Sequence, residues 1–255
     1  MTPPTTLGGR VGPLTQLHWH HPEWPVYVVA QFGWLVMLVP LVGNPGLMTH
    51  GSAHPGVIGL AIGAVAMSCA MMAPLVLDRC HHLAVSSLWT RRYRAIGAYL
   101  VGYLGVWAVV GCAMVGIGHL AASVFGRIPV VATAALVAIG VASGDGHRRR
   151  LARCSATRPL ALSGWRADRD CVVAGVAMAG RCVATSWALM LLAMVQHGLI
   201  VAVLAAAVVL GERRGPLTHR SAWWCTVGVG ILATVLTLSA YGAGIGALPQ
   251  PHGGH

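Results

Sequence analysis

Apolar positions along this chain gather into long runs, broken by short segments rich in Arg, Gly, Pro or His. A helix needs about 20 apolar residues to cross a bilayer, and in lipid it satisfies its own backbone hydrogen bonds. Seven runs fit that pattern: Pro25 to Val42, Gly56 to Leu77, Ala95 to His119, Ile128 to Ser143, Cys171 to Val195, Gly198 to Gly211 and Trp223 to Ala247. The sixth holds only 13 residues from Gly198 to Leu210, short enough for a re-entrant or half-spanning piece. The pattern predicts an all-α polytopic transmembrane bundle over residues 25–247, with about seven helices, or six if 198–211 does not cross.

Composition places the chain in the same class, because 56% of its 255 residues are hydrophobic and only 9% are charged. That balance belongs to integral membrane proteins. Charge placement then bears on the sixth run, since cytoplasmic loops retain basic residues that short translocated loops lack. All 17 basic residues are Arg, and they concentrate in loops 78–94, 144–170 and 211–222. The segments between those loops, around 43–55, 119–127 and 196–197 and after Tyr241, contain Arg127 and no carboxylate. This alternation requires the sixth run to cross, with residues 1–24 in the cytoplasm and the tail 248–255 outside. Residues 1–23 lack the short apolar core of a cleavable signal peptide, so the first helix is expected to direct insertion.

The net charge of +11 raises nucleic acid as a partner. The Arg residues are spread over three juxtamembrane loops with no aromatic platform, which fits anchoring on anionic lipid and not nucleic-acid binding. The seven Cys residues form no CxxC pair and lie mostly in helices or on the inferred cytoplasmic side, where disulfides are disfavoured. No nucleotide loop, Ser/His/Asp signature, HExxH or paired-carboxylate pattern is present, so the letters favour a non-enzyme over a membrane enzyme without deciding between them.

Candidate chemistry lies in sulfur, imidazole and one guanidinium. The stretch AMSCAMMAP, Ala66 to Pro74, holds Met67, Cys69, Met71 and Met72 within the second run. Met67 and Met71 share a helix face, as do Met178, Cys182 and Ser186 on the fifth run. If those faces meet, thioethers and a thiolate suit Cu(I) better than zinc. Packing is the competing explanation, because Met fills irregular gaps, Gly59 and Gly63 make a small-residue face on the same helix, and Pro74 invites a kink.

Imidazoles His50, His54, His119 and His197 fall on the inferred outer side, where they are candidate metal ligands or neutral surface groups. HWHHPEW and DRCHH place His18, His20, His21, Cys80, His81 and His82 on the other side, with Trp19, Trp24 and Tyr27 suggesting an interfacial aromatic belt. Arg181 is the one fixed charge deep inside a predicted span. An intramembrane Arg is costly unless it faces a cavity, a partner or the interface, so it marks a candidate polar cavity.

AMSCAMMAP, then GAYLVGYLGVW from Gly97 to Trp107, then CVATSWALMLLAMVQHGLIVAVLAAAVVLGERR from Cys182 to Arg214 occur in an order that resembles the PpoB-like family of predicted metal-binding integral membrane proteins. The resemblance covers about Ala66 to Arg214. It maps the family's helix-two motif onto Met67, Ala70, Met71, Met72 and Pro74, and its later motif onto Cys182 and Trp187 to Met190. The chain departs from the family where Thr185 and Ser186 stand in place of a Cys pair, and where one Cys, Cys154, precedes Pro159 instead of two.

The resemblance implies a membrane protein that handles a soft metal, copper before others, through Met67, Met71, Met72 and Cys182, with Arg181 shaping a polar cavity beside them. Copper would be captured at the outer His residues and passed inward, for uptake or for a membrane metalloenzyme. Two readings compete with it: a structural subunit packing against other membrane subunits, and a small-molecule or lipid transporter that uses Arg181 as its anion contact.

Overall fold

The computed structural model describes residues 21–43, 56–87, 91–144, 165–196, 198–214 and 218–246. Its helices are α1 (Trp24–Gly43), α2 (Val57–Met72), α3 (Leu77–Ser86), α4 (Arg92–Phe125), α5 (Arg127–Ser143), α6 (Trp165–Gln196), α7 (Leu199–Arg214) and α8 (His219–Gly246). No strand occurs among the described residues. A single 3-10 turn, Ala73–Val76, joins α2 to α3, so those two form one rod and the described residues make seven rods. Pro74 sits in the first positions of that turn. It has no N–H to give to the α ladder and its ring crowds the preceding carbonyl, which accounts for the local change of helix type.

Four rods, Ile58–Ser86, Arg92–Phe125, Trp165–Gln196 and Arg220–Tyr241, are long and apolar enough to cross a membrane. Trp24–Val39 and Arg127–Ser143 are apolar but shorter. Side chains such as Phe32, Ile58, Val101, Leu120 and Leu136 project outward at 66–78% exposure, an apolar girdle of the kind lipid covers. The sixth run forms α7, whose 16 residues give about 24 Å of helix.

Helix pairing follows small residues. In lipid there is no hydrophobic drive between helices, so close backbone approach and van der Waals packing select partners. Gly102 of α4 lies on the Val172 carbonyl of α6, and Gly175 of α6 lies on the Tyr99 carbonyl of α4, so neither position has room for a Cβ. Gly33 of α1 meets α2 in the same way, with a Cβ there only 2.6 Å from the Ala66 carbonyl oxygen. A single residue, Gly126, separates α4 from α5 at φ 84°. That left-handed backbone favours glycine and allows the tight reversal.

Polar contacts collect at the two ends of the bundle. At the Arg-rich end, Asp168 of α6 accepts from Arg91 at 2.5 Å and Arg94 at 2.7 Å, tying the starts of α4 and α6. Beside them Trp24 donates its indole N–H to Tyr93 Oη at 3.4 Å, and their rings meet edge to face. At the opposite end Arg127 donates to the Gln196 carbonyl at 2.9 Å, tying α5 to α6, while Gln196 Oε1 accepts the Gly198 N–H at 2.6 Å and braces the turn into α7.

Candidate soft-metal site

Cys182 lies on the face of α6 that meets α4, and its side chain is fully buried. Its Sγ is 2.9 Å from Tyr103 Oη, a hydrogen bond in which either group can donate. Tyr103 is itself fully buried and stacks on Tyr99 one turn earlier, with ring centroids 6.4 Å apart and planes within 5°. The thiol therefore sits in a dry, aromatic-walled position with a fixed hydrogen-bond partner. This phenol can hold a thiolate in place when an ion draws off the thiol proton.

Met67, Met71 and Met72 on α2 are buried in the same continuous core as Cys182. Helix α4 packs against both α2 and α6. Gly111 marks where the two approach one another across α4: a Cβ there would stand 2.8 Å from Ser68 Oγ of α2 and 3.3 Å from Met194 Cε of α6. Ser68 donates back to the Ala64 carbonyl at 2.8 Å and approaches the Trp107 carbonyl at 3.3 Å. In the same layer Trp107 Nε1 is buried without a hydrogen-bond partner, a polar atom that native cores rarely leave alone.

The stripe of Met178, Cys182 and Ser186 continues along α6 to Met190 and Met194. Met178, Cys182, Ser186, Met190 and Met194 recur every fourth position, and all five are buried. Met190 was legible from this spacing, one step past Ser186. Tyr103 had no such signal, because it reaches Cys182 from 79 residues away.

The two hydroxyls that follow Cys182 on α6, Thr185 and Ser186, turn back on their own helix. Ser186 Oγ donates to the Cys182 carbonyl at 2.8 Å, and Thr185 Oγ1 lies 2.9 Å from the same carbonyl and 3.2 Å from that of Arg181. Back-bonding of this kind satisfies a Ser or Thr inside an apolar helix. Thr185 Oγ1 also accepts from Arg213 Nη2 of α7 at 3.1 Å. Arg181, one turn before Thr185, is partly exposed while its neighbour Cys182 is fully buried. Successive helical residues point different ways, so the guanidinium and the thiol occupy different faces of α6.

Among the described residues, no three His, Cys, Asp or Glu side chains form a preassembled metal cage. His119 is exposed near the end of α4. His50, His54 and His197 lie outside the described residues, as do Cys154, His18 and His20. An apolar groove of about 450 Å³ runs between α4, α5 and α6 past Ile117, Phe125, Val130 and Leu191. It presents no sulfur or imidazole, and neither Cys182 nor Tyr103 lines it.

Comparison with known proteins decides the family, because the family described as "PpoB2: Copper chaperone" matches residues 62–237, well over half of the chain. The chain belongs to the PpoB2 copper chaperone family. The matched region contains Met67, Met71, Met72, Tyr103, Arg181 and Cys182, and begins after α1. No curated protein and no solved structure matches the chain.

Proposed function

We propose that this PpoB2 protein carries Cu(I) within a bacterial inner membrane, with Cys182, Met67, Met71 and Met72 as its sulfur donors. The observation that carries this reading is the buried Cys182 thiol hydrogen-bonded to Tyr103, in one core with the α2 methionines. Soft thioether and thiolate ligands select Cu(I) over harder ions, and the description of the family supports copper as the cargo. Met190 and Met194 extend the sulfur row toward the opposite end, where the outer His residues would receive the ion. The Arg-rich end faces the cytoplasm and lipid phosphates, and the recipient is a membrane metalloenzyme.

Elemental analysis of detergent-purified protein loaded anaerobically with Cu(I) tests the reading, comparing the natural chain with Met71→Leu/Cys182→Ser. Leu and Met are close in volume, so that exchange costs less than about 1.5 kcal/mol of packing. Near-stoichiometric copper that disappears in the folded double variant is the expected result. Equal, low copper in both would leave the methionines as packing and the protein as a structural subunit.

The Arg213 contact to Thr185 favours a second reading, since it places a guanidinium on the residue one helical turn after Arg181. Such a pair suits an anionic small molecule or lipid headgroup. Loss of anion transport in Arg181→Ala with unchanged copper content would support that reading over copper carriage.

A further inference from the structure

Glu23 is the one carboxylate buried among the described residues, at 8% exposure. It stands just before α1 at the Arg-rich end, outside the region the family match covers. Its Oε1 lies 3.2 Å from His21 Nδ1 and its Oε2 lies 2.9 Å from His81 Nδ1 of α3. Two imidazoles from separate parts of the chain thus share one carboxylate, each on a different oxygen.

Comparison with Asp168 shows what is unusual in this arrangement. Asp168 takes Arg91 and Arg94, a clasp of fixed charges whose guanidinium partners have no lone pair to offer an ion. Every basic residue of the chain is Arg, 17 in all. Glu23 is nevertheless served by two imidazoles, whose nitrogens ligate transition metals.

A shared ion needs slightly wider spacing than the hydrogen bonds: with bonds of about 2.0–2.2 Å to nitrogen and carboxylate oxygen, tetrahedral donors stand about 3.3–3.6 Å apart. The two nitrogen-to-oxygen separations of 2.9 and 3.2 Å therefore have to lengthen by a few tenths of an ångström. What keeps the three residues from forming a closed cage is the proton in each contact and the splitting of the imidazoles between two oxygens. A small turn of the carboxylate, with each proton lost or moved to Nε2, opens the nitrogen lone pairs to a common ion. His21 and His81 are 61% and 49% exposed, which leaves a path from solvent and open positions for further ligands.

We propose that His21, Glu23 and His81 bind one borderline divalent transition-metal ion, of the Zn2+ or Cu2+ class, at the Arg-rich end of the bundle. The two-nitrogen, one-oxygen donor set differs from the sulfur core around Cys182, so this site stands or falls independently of Cu(I) carriage.

Co2+ serves as the probe, titrated into the purified full chain and followed by its visible absorption and by thermal unfolding. The expected result is one equivalent bound, with a rise in melting temperature. Glu23→Gln and His81→Ala should each weaken Co2+ binding by more than about tenfold, while Met71→Leu/Cys182→Ser leaves it unchanged. Glu23→Gln keeps the size and a hydrogen-bonding head, and the metal-free melting temperature reports whether either variant has lost its fold. Co2+ affinity equal in the natural chain and in His81→Ala would overturn the proposal. A metal-free melting temperature that falls in the variants, with no Co2+-induced rise in the natural chain, would overturn it as well and leave a purely structural clasp.

Discussion

Tyr103 Oη stands 2.9 Å from Cys182 Sγ, at a crossing where two glycines, Gly102 and Gly175, let the backbones of α4 and α6 touch. The packing of the helices and the setting of the thiol are one feature. Were α4 held away from α6 by a side chain at either glycine, the phenol would no longer reach the sulfur.

Tyr103→Phe keeps the ring and removes only the hydroxyl. If Cys182 ligates Cu(I), losing that outer partner should weaken the affinity about tenfold, measured by competition with a chromophoric Cu(I) chelator. Stability should change by only about 1 kcal/mol. Unchanged affinity in the folded variant would remove either Cys182 as a ligand or Tyr103 as its partner.

Gly175→Ala should destabilise the bundle by about 1–3 kcal/mol, because the added methyl meets the Tyr99 carbonyl and forces a backbone shift. Gly97→Ala on α4 is the control, since a Cβ at Gly97 meets nothing within 4 Å. It should be neutral or slightly stabilising in a helix. Thermal unfolding in a fixed detergent compares the two, and equal losses would dismiss the glycine crossing as the determinant of α4–α6 packing.

A reporter fused after His197 and another after Arg214 test the path of α7. An external signal from the first and a cytoplasmic signal from the second are expected if α7 crosses. Matching signals would make it a helix that returns to the side it left.

Glu23 lies outside the spanning rods, and its pKa is held below the ordinary 4.5. Burial pushes it upward, but hydrogen bonds from His81, from its own backbone and from His21 outweigh that push. A depressed folded pKa means that protonation favours the unfolded form. In the metal-free protein the stabilisation from the clasp is present above about pH 4.5 and lost as the pH falls below it, which melting temperatures across acid pH would register. Glu23→Gln should flatten that part of the profile.

Much of the fold was legible because a membrane helix must satisfy its backbone within itself. Hydropathy alone therefore marks the rods, and the 13-residue run at Gly198 proved to be the helix Leu199–Arg214. Pro74 marked a kink in the second rod for an equally local reason, and the structure gives that kink the form of a 3-10 turn. The hydroxyls at Thr185 and Ser186 were recognisable as departures from the family's Cys pair, but their bonds to the Cys182 carbonyl depend on rotamers that the letters do not carry.

By itself the sequence determined the helical membrane class, the order of the rods, the sulfur spacing on α2 and α6 and the likeness to a metal-handling family, all of which rest on composition or on neighbours within a few positions. Only the tertiary structure decided which distant groups meet: Tyr103 with Cys182, Arg213 with Thr185, and Glu23 with His81. The reason is that helices in lipid choose partners through close contact at small residues. With 33 glycines in the chain, nothing in the letters distinguishes Gly102, Gly111 and Gly175, at the α4 contacts with α2 and α6, from Gly97, which faces open space.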